Sequence, residues 1–109
     1  MTPEDAFNKA HDAGKRFPEL EELISTDPFW SYIYARDIIK GRWVEAEDII
    51  MINLYHSYHY ALYVIKGKLP EKMHNMMILH AIKDPDDWRV KRYFEQLKWQ
   101  MAKEVPPQR

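Results

Sequence analysis

Lys40-Gly41-Arg42-Trp43-Val44-Glu45 returns 26 residues later as Lys66-Gly67-Lys68-Leu69-Pro70-Glu71, and a third form, Gly14-Lys15-Arg16-Phe17-Pro18-Glu19, lies 26 residues before it. Each string reads as a helix end followed by a helix start. Glycine accepts the left-handed conformation that follows a last helical turn, and a neighbouring lysine meets the negative pole of the helix dipole. Proline at a first helical position gives up no hydrogen bond, and Glu19, Glu45 and Glu71 meet the positive pole. Thr2-Pro3-Glu4-Asp5, Asp27-Pro28 and Asp84-Pro85-Asp86-Asp87 are further starts of this type, so all five prolines before the tail are expected to mark helix beginnings.

The apolar residues around these corners keep the same step. Phe29 pairs with Tyr55, Ser31 with Ser57, Tyr32 with Tyr58, Tyr34 with Tyr60, Ala35 with Ala61, Ile38 with Val64 and Ile39 with Ile65. Tyr32, Ala35 and Ile39 lie at i, i+3 and i+7, one face of a helix, and Tyr58, Ala61 and Ile65 repeat it. The pattern predicts a longer helix over Phe29 to Lys40 and Tyr55 to Lys66, a glycine corner, and a shorter helix over Val44 to about Met51 and Pro70 to about Leu79. A degenerate first unit spans Pro3 to about Ile24. Units this small cannot bury their apolar faces alone, so the expected fold is all-α: short tandem helical repeats stacked as a small solenoid or bundle. Residues 1–104 form one domain, with units at about 3–26, 27–52 and 53–80. The pattern stops after Leu79, and a helix over 85–104 with the stripe Val90, Phe94, Leu97 and Met101 is expected to cap the array. Residues 105–109 read as a frayed tail.

At 109 residues the chain has room for one core. Its hydrophobic fraction of 46% and charged fraction of 30% are those of a folded protein. No cysteine occurs, which excludes disulfides and thiolate chemistry and fits a reducing compartment. The N-terminus lacks the pattern of a secretory signal and no apolar run reaches membrane-spanning length, so a cytoplasmic protein without membrane contact is expected. Residues 1–52 carry eleven acids against six bases, and residues 53–109 six acids against ten bases. The basic half could meet an acidic partner, although differently solvated faces explain such a gradient as well.

The string Tyr34-Ala35-Arg36-Asp37-Ile38-Ile39-Lys40-Gly41-Arg42-Trp43-Val44-Glu45-Ala46-Glu47, echoed by Tyr60-Ala61-Leu62-Tyr63-Val64-Ile65-Lys66-Gly67-Lys68-Leu69-Pro70-Glu71, resembles a tandem repeat of bacteriophage proteins. That repeat runs tyrosine-alanine, two variable positions, then valine-isoleucine-lysine-glycine-arginine-tryptophan-proline-glutamate-alanine-glutamate. The likeness covers residues 14–82 and implies a phage origin and a helical array rather than an activity. The chain departs from the pattern at Val44 and Leu69, and its third unit lacks the tyrosine-alanine helix.

Side-chain constellations for chemistry are sparse. His56 and His59 lie three apart on a helix, but no third ligand or HExxH spacing accompanies them, so no metal is expected. Glu45, Glu47 and Glu71 recur at helix starts, where the dipole explains them without acid–base catalysis. With three isolated glycines there is no phosphate-cradling loop, and neither an enzyme nor a cofactor is expected. Met73, Met76 and Met77 read as core. The remaining candidates are for binding. Lys40, Arg42, Lys66 and Lys68, with Lys15 and Arg16, would align as a basic ridge if units stack in register, and Trp43 would be available for stacking. Fifteen aromatic residues include seven tyrosines, and some of Tyr55, Tyr60 and Tyr63 are expected at a surface. The expected function is a non-enzymatic phage protein that binds a host protein and inhibits or redirects it. The alternative is a nucleic-acid or nucleotide binder using the basic ridge, against which the sequence pI of about 6.5 argues. A homo-oligomeric structural protein is a third option.

Overall fold

The computed structural model describes the backbone of residues 1–104 and the side chains of residues 1–98. Among these residues there are seven α-helices and no strand. Helix α1 spans Pro3–Ala13, α2 Pro18–Ile24 and α3 Pro28–Tyr34, which runs on as a π-helical turn over Ala35–Ile39. A 3₁₀ turn at Val44–Ala46 leads into α4, Glu47–Ile50. Helix α5 spans Leu54–Tyr60 and again runs on as a π-helical turn, Ala61–Ile65. Helix α6 is Glu71–Lys83 and α7 is Trp88–Glu104. Long helices pack on their successors, α1 on α3, α3 on α5 and α5 on α7, with the shorter elements alongside.

Helix starts follow the capping residues. Thr2 and Asp5 form a reciprocal capping box at α1. Asp27 accepts the Trp30 N–H at 2.8 Å and Asn53, 26 residues on, accepts the His56 N–H at 3.0 Å. Pro3, Pro18 and Pro28 each lie in a first turn. The other two prolines stand ahead of the first turn, Pro70 still marking a start as the cap of α6, so the expectation fails only for Pro85. Pro70 is the residue before α6, and Pro85 lies in a turn ahead of α7, which begins at Trp88 rather than at Asp84-Pro85. Asp87, whose carboxylate accepts the Arg89 N–H at 2.9 Å, sets that start.

The corners also differ from the expectation. The left-handed residues are Gly14 (φ 67°), Lys40 (φ 60°) and Lys66 (φ 59°), themselves 26 apart, so in the last two corners the lysine and not the following glycine carries the positive φ. The π turns account for this. The Ala35 carbonyl accepts the N–H groups of both Lys40 and Gly41, and Ala61 those of Lys66 and Gly67, which places the reversal on the lysine. A Cβ at Gly41 would meet nothing within 4 Å, so nothing in the structure explains the glycine there.

Each corner is fastened by the next long helix. The Tyr34 hydroxyl accepts the Phe17 N–H at 3.1 Å and donates to Glu21 at 2.7 Å, while Arg16 forms two 2.8 Å bonds to the same carboxylate. Twenty-six residues later Tyr60 accepts the Trp43 N–H at 2.8 Å and donates to Glu47 at 2.7 Å, and Arg42 grips Glu47 at 2.7 and 3.0 Å. Glu47 stands in the first turn of α4, where the dipole favours an acid, and like Glu21 it serves tertiary bonds as well. Ser31 and Ser57 add the same bond twice, to the carbonyls of Ile24 and Ile50.

The pattern does not end at Leu79. Helix α6 has 13 residues where α2 has 7, so the third tyrosine arrives late, as Tyr93 of α7, and accepts the Leu69 N–H at 2.9 Å. Helix α7 thus supplies the tyrosine that the sequence pattern omits. Val90 is buried and Phe94 and Leu97 pack on the core, whereas the Met101 side chain and residues 105–109 lie outside the described residues. Met73 and Met77 are core as expected, but the outer side of α6 leaves Leu79 and Ile82 exposed.

Tyr60→Phe removes the hydroxyl that serves both Trp43 N–H and Glu47 and should lower the unfolding free energy by about 1–3 kcal/mol in urea titrations. In contrast, Lys40→Gly relieves a left-handed side-chain residue. Against the backbone entropy of glycine, it should gain about 0.5–1 kcal/mol in the same measurement.

Candidate functional site

The segment Tyr55-His56-Ser57-Tyr58-His59-Tyr60 divides its side chains between two sides of α5. Ser57 and Tyr60 point to the corner bonds and are fully buried. Tyr55, His59 and Tyr63 follow at steps of four and share the other side. The Tyr55 and His59 ring centroids are 4.2 Å apart at 87°, and His59 and Tyr63 are 5.6 Å apart.

Neighbouring helices extend this cluster. From α3, Tyr32 stacks 6.1 Å from His59 and Phe29 lies 5.4 Å from His56. From α7, Trp88 sits 6.2 Å from Tyr55 and 5.6 Å from Tyr58, edge-on to both. Tyr32 and Tyr58 are buried beneath the cluster. Phe29 is 39% exposed, Tyr55 43%, Tyr63 51% and Trp88 53%, so one face offers four large aromatic rings to solvent. A shallow cleft of about 420 Å³ between α5 and α7, lined by Tyr58, Leu62, Arg92, Glu95 and Gln96, adjoins it.

The charges on this face are few. The Arg36 guanidinium lies 5.5 Å from the Tyr32 ring centroid and forms two bonds to Asp37, at 2.7 and 3.0 Å. Burial lowers the proton affinity of His56, partly offset by Asp27. It also lowers that of His59, aided by the nearby His56 and Arg36. The His56 Nδ1 is buried and has no hydrogen-bond partner among the described residues. The face therefore presents apolar surface and ring edges, with imidazoles whose charged form is disfavoured by burial.

A second cluster brings ligand-type atoms together. His80, Asp84 and Asp87 place one such atom each within 4.8 Å of one another. Sequence reading missed it because the three residues converge only through the turn between α6 and α7. One of its two carboxylates is already engaged: Asp87 accepts bonds from Arg89 Nε at 3.0 Å, Arg89 Nη2 at 2.7 Å and the Arg89 N–H, and lies 3.0 Å from His80 Nε2. These bonds, those of Arg89 foremost, hold the Asp87 carboxyl well below the usual carboxylate range. The arrangement anchors the start of α7.

The sequence-derived candidates separate into three groups. Tyr55 and Tyr63 lie on the aromatic face. Trp43 and Tyr60 are buried, at 3% and 0% exposure, the indole packed 4.9 Å from the Tyr34 ring and the Tyr60 hydroxyl held in the corner bond, so neither is available for stacking on a ligand. Lys40, Arg42, Lys66 and Lys68 lie exposed at the corners, but Arg42 is committed to Glu47 as Arg16 is to Glu21, and Lys15 lies 5.3 Å from the Phe17 ring centroid. The basic ridge is thus thinner than the sequence implies. Phe29, His56, His59 and Trp88 were not among the candidates. The alternation of tyrosine and histidine at helical spacing in α5 is the signal that marks the face.

Comparison with protein-family models, with curated proteins and with solved structures finds no match to this chain. Among the described residues no helix is long and apolar enough to cross a membrane.

The depressed histidines set a pH dependence. A folded state that binds protons less readily than the unfolded chain is fully stabilised above the ordinary histidine value of about 6.5, and it loses stability as pH falls through the lower folded midpoints. NMR titration of the His56 and His59 ring protons should therefore give midpoints below 6.5, and His59→Gln should weaken the loss of stability between pH 7 and pH 5.

Proposed function

We propose that this chain is a non-enzymatic binding protein, a short stack of helical repeats that meets another protein through its aromatic face. In this reading α1 with α2, α3 with α4 and α5 with α6 are successive units, and α7 caps the array. The recurrence of the tyrosine, glutamate and arginine bonds at a 26-residue step supports the stack, as does the packing of each long helix on the next.

The observation that carries the functional reading is the grouping of Phe29, Tyr55, Tyr63 and Trp88, all substantially exposed, on one face. Tyrosine and tryptophan are the residues that most often dominate binding energy at protein interfaces, because a stiff ring gives large contact area with little entropy loss. Exposing four such rings together offers no folding advantage. The partner we propose is a bacterial host protein that is blocked or redirected in the host cytoplasm, for example in transcription or antiviral defence. The resemblance to phage repeat proteins supports that assignment. The nucleic-acid reading loses Trp43, which is buried, and Arg42, which is held by Glu47.

A partner isolated from bacterial lysate and purified provides the test. Tyr55→Ala, Tyr63→Ala and Trp88→Ala together should weaken its binding at least about thirtyfold, the scale of a hot-spot residue. Lys40→Glu, Lys66→Glu and Lys68→Glu together should change it little. Unchanged affinity in the aromatic variant would refute the proposal. Salt-dependent RNA or DNA binding lost with the three lysines would replace it with the alternative.

A further inference from the structure

We propose that His74 makes the last of the three tyrosine bonds acid-sensitive, so that lowering the pH loosens α7 and withdraws Trp88 from the aromatic face. The regulatory part rests on reading that face as the binding surface.

The first two corners and the third use the same hydroxyl but different acceptors. Tyr34 and Tyr60 donate to Glu21 and Glu47, carboxylates gripped by Arg16 and Arg42. In the third corner Met73 stands 26 residues after Glu47 and Lys68 stands 26 after Arg42. The acceptor is instead His74, whose Nδ1 lies 2.7 Å from the Tyr93 oxygen. Since that oxygen accepts the buried Leu69 N–H, the Tyr93 proton is assigned to His74 Nδ1, which must then be the unprotonated nitrogen of a neutral ring.

Protonation of His74 turns this acceptor into a donor. The Tyr93 oxygen then faces two N–H donors while its own proton loses its partner. The groups facing His74 offer no compensation. Tyr93 and Phe94 approach from α7 and Lys68 from the corner, and no carboxylate acts on the ring among the described residues. Burial and the Lys68 charge both favour the neutral ring, so the folded state takes up the proton less readily than the unfolded chain. The Tyr93 O–H donation to His74 is intact near pH 7, and on acidification the imidazolium N–H competes with Leu69 for the same oxygen. In the first corner the acceptor stays a carboxylate over that range, because Arg16, and then Tyr34, holds Glu21 below its ordinary value. A protonated His80 still donates to Asp87, so that contact does not open with acid.

The consequence reaches the aromatic face because Tyr93 and Trp88 share α7, and Trp88 touches Tyr55 and Tyr58 across to α5. Amide hydrogen exchange by NMR at pH 7 and pH 5, with the Trp88 indole signal recorded in parallel, tests this without a partner. The protection factor of the Leu69 N–H should fall about fivefold at pH 5, the equivalent of one net hydrogen bond. Those of Phe17 and Trp43 should fall less, and the Trp88 signal should shift even in a His59→Gln chain, where the imidazole beside Tyr55 and Tyr58 no longer titrates. His74→Asn, which keeps a neutral acceptor, should abolish both changes when introduced into the His59→Gln chain. Constant Leu69 protection in the native chain would overturn the proposal, as would the same loss in the His74→Asn variant. A Leu69 change without a Trp88 shift would overturn the link to the face. If all the exchange results hold and no partner binding depends on the aromatic residues, the acid-sensitive bond stands and the reading of the face as a binding surface fails.

Discussion

A backbone N–H that the fold buries at a corner must find an acceptor, and in this protein a tyrosine from the next long helix supplies it. Phe17 and Trp43 are extended residues immediately ahead of short helical elements, and neither receives a side-chain cap. Their N–H groups, like that of Leu69, would be orphaned without Tyr34, Tyr60 and Tyr93. An unpaired buried donor costs about 1–3 kcal/mol. Since each hydroxyl comes from a helix that lies 17 or 24 residues further along the chain, satisfying local backbone chemistry also fixes how successive helices sit.

The hydroxyl then needs an acceptor for its own proton, and the answer given twice is a carboxylate. Burying Glu47 to 7% exposure is tolerable because Arg42 grips it in two places and Tyr60 donates a third bond. Burial, reinforced by the adjacent Glu21, holds the Tyr34 hydroxyl in its protonated form by raising its pKa to about 12. The third corner changes both charged members together, with Met73 and Lys68 in their places. Replacing the pair jointly avoids a buried charge without a partner, the costly outcome when only one member is removed. The price in specificity is a neutral acceptor, His74, in place of an anion.

Much of this was legible in the sequence, and the illegible parts share a cause. The 26-residue step, the caps Thr2 and Asp27 and the inward triads follow from periodicity and local capping rules, which act over a few residues. Trp43 and Tyr60 were misread as surface candidates because their roles are bonds to one another across 17 residues, and nothing local distinguishes them from Tyr55. The left-handed slot was assigned to glycine by propensity, yet the π turns moved it to Lys40 and Lys66. The third unit looked incomplete because the extra length of α6 displaced its tyrosine from position 86, where the step would put it, to Tyr93. Trp88 and His59 belong to a face assembled from three helices, which no single stretch displays.

Helix α5 shows how the architectural and the surface tyrosines coexist. At 3.6 residues per turn, Tyr60 stands about 140° around the axis from Tyr55, whereas His59 stands about 40° from it. Tyr60 therefore reaches the corner while Tyr55 and His59 remain together on the other side, with Tyr63 one turn beyond. The two sets cannot move independently, because one rigid helix carries both. Fixing the corner bonds fixes where the outer rings stand, and Tyr93 and Trp88 repeat that linkage on α7, where they lie five residues apart. A face built this way is preorganised by backbone chemistry on its far side, so a partner that docks on it need not order the rings themselves.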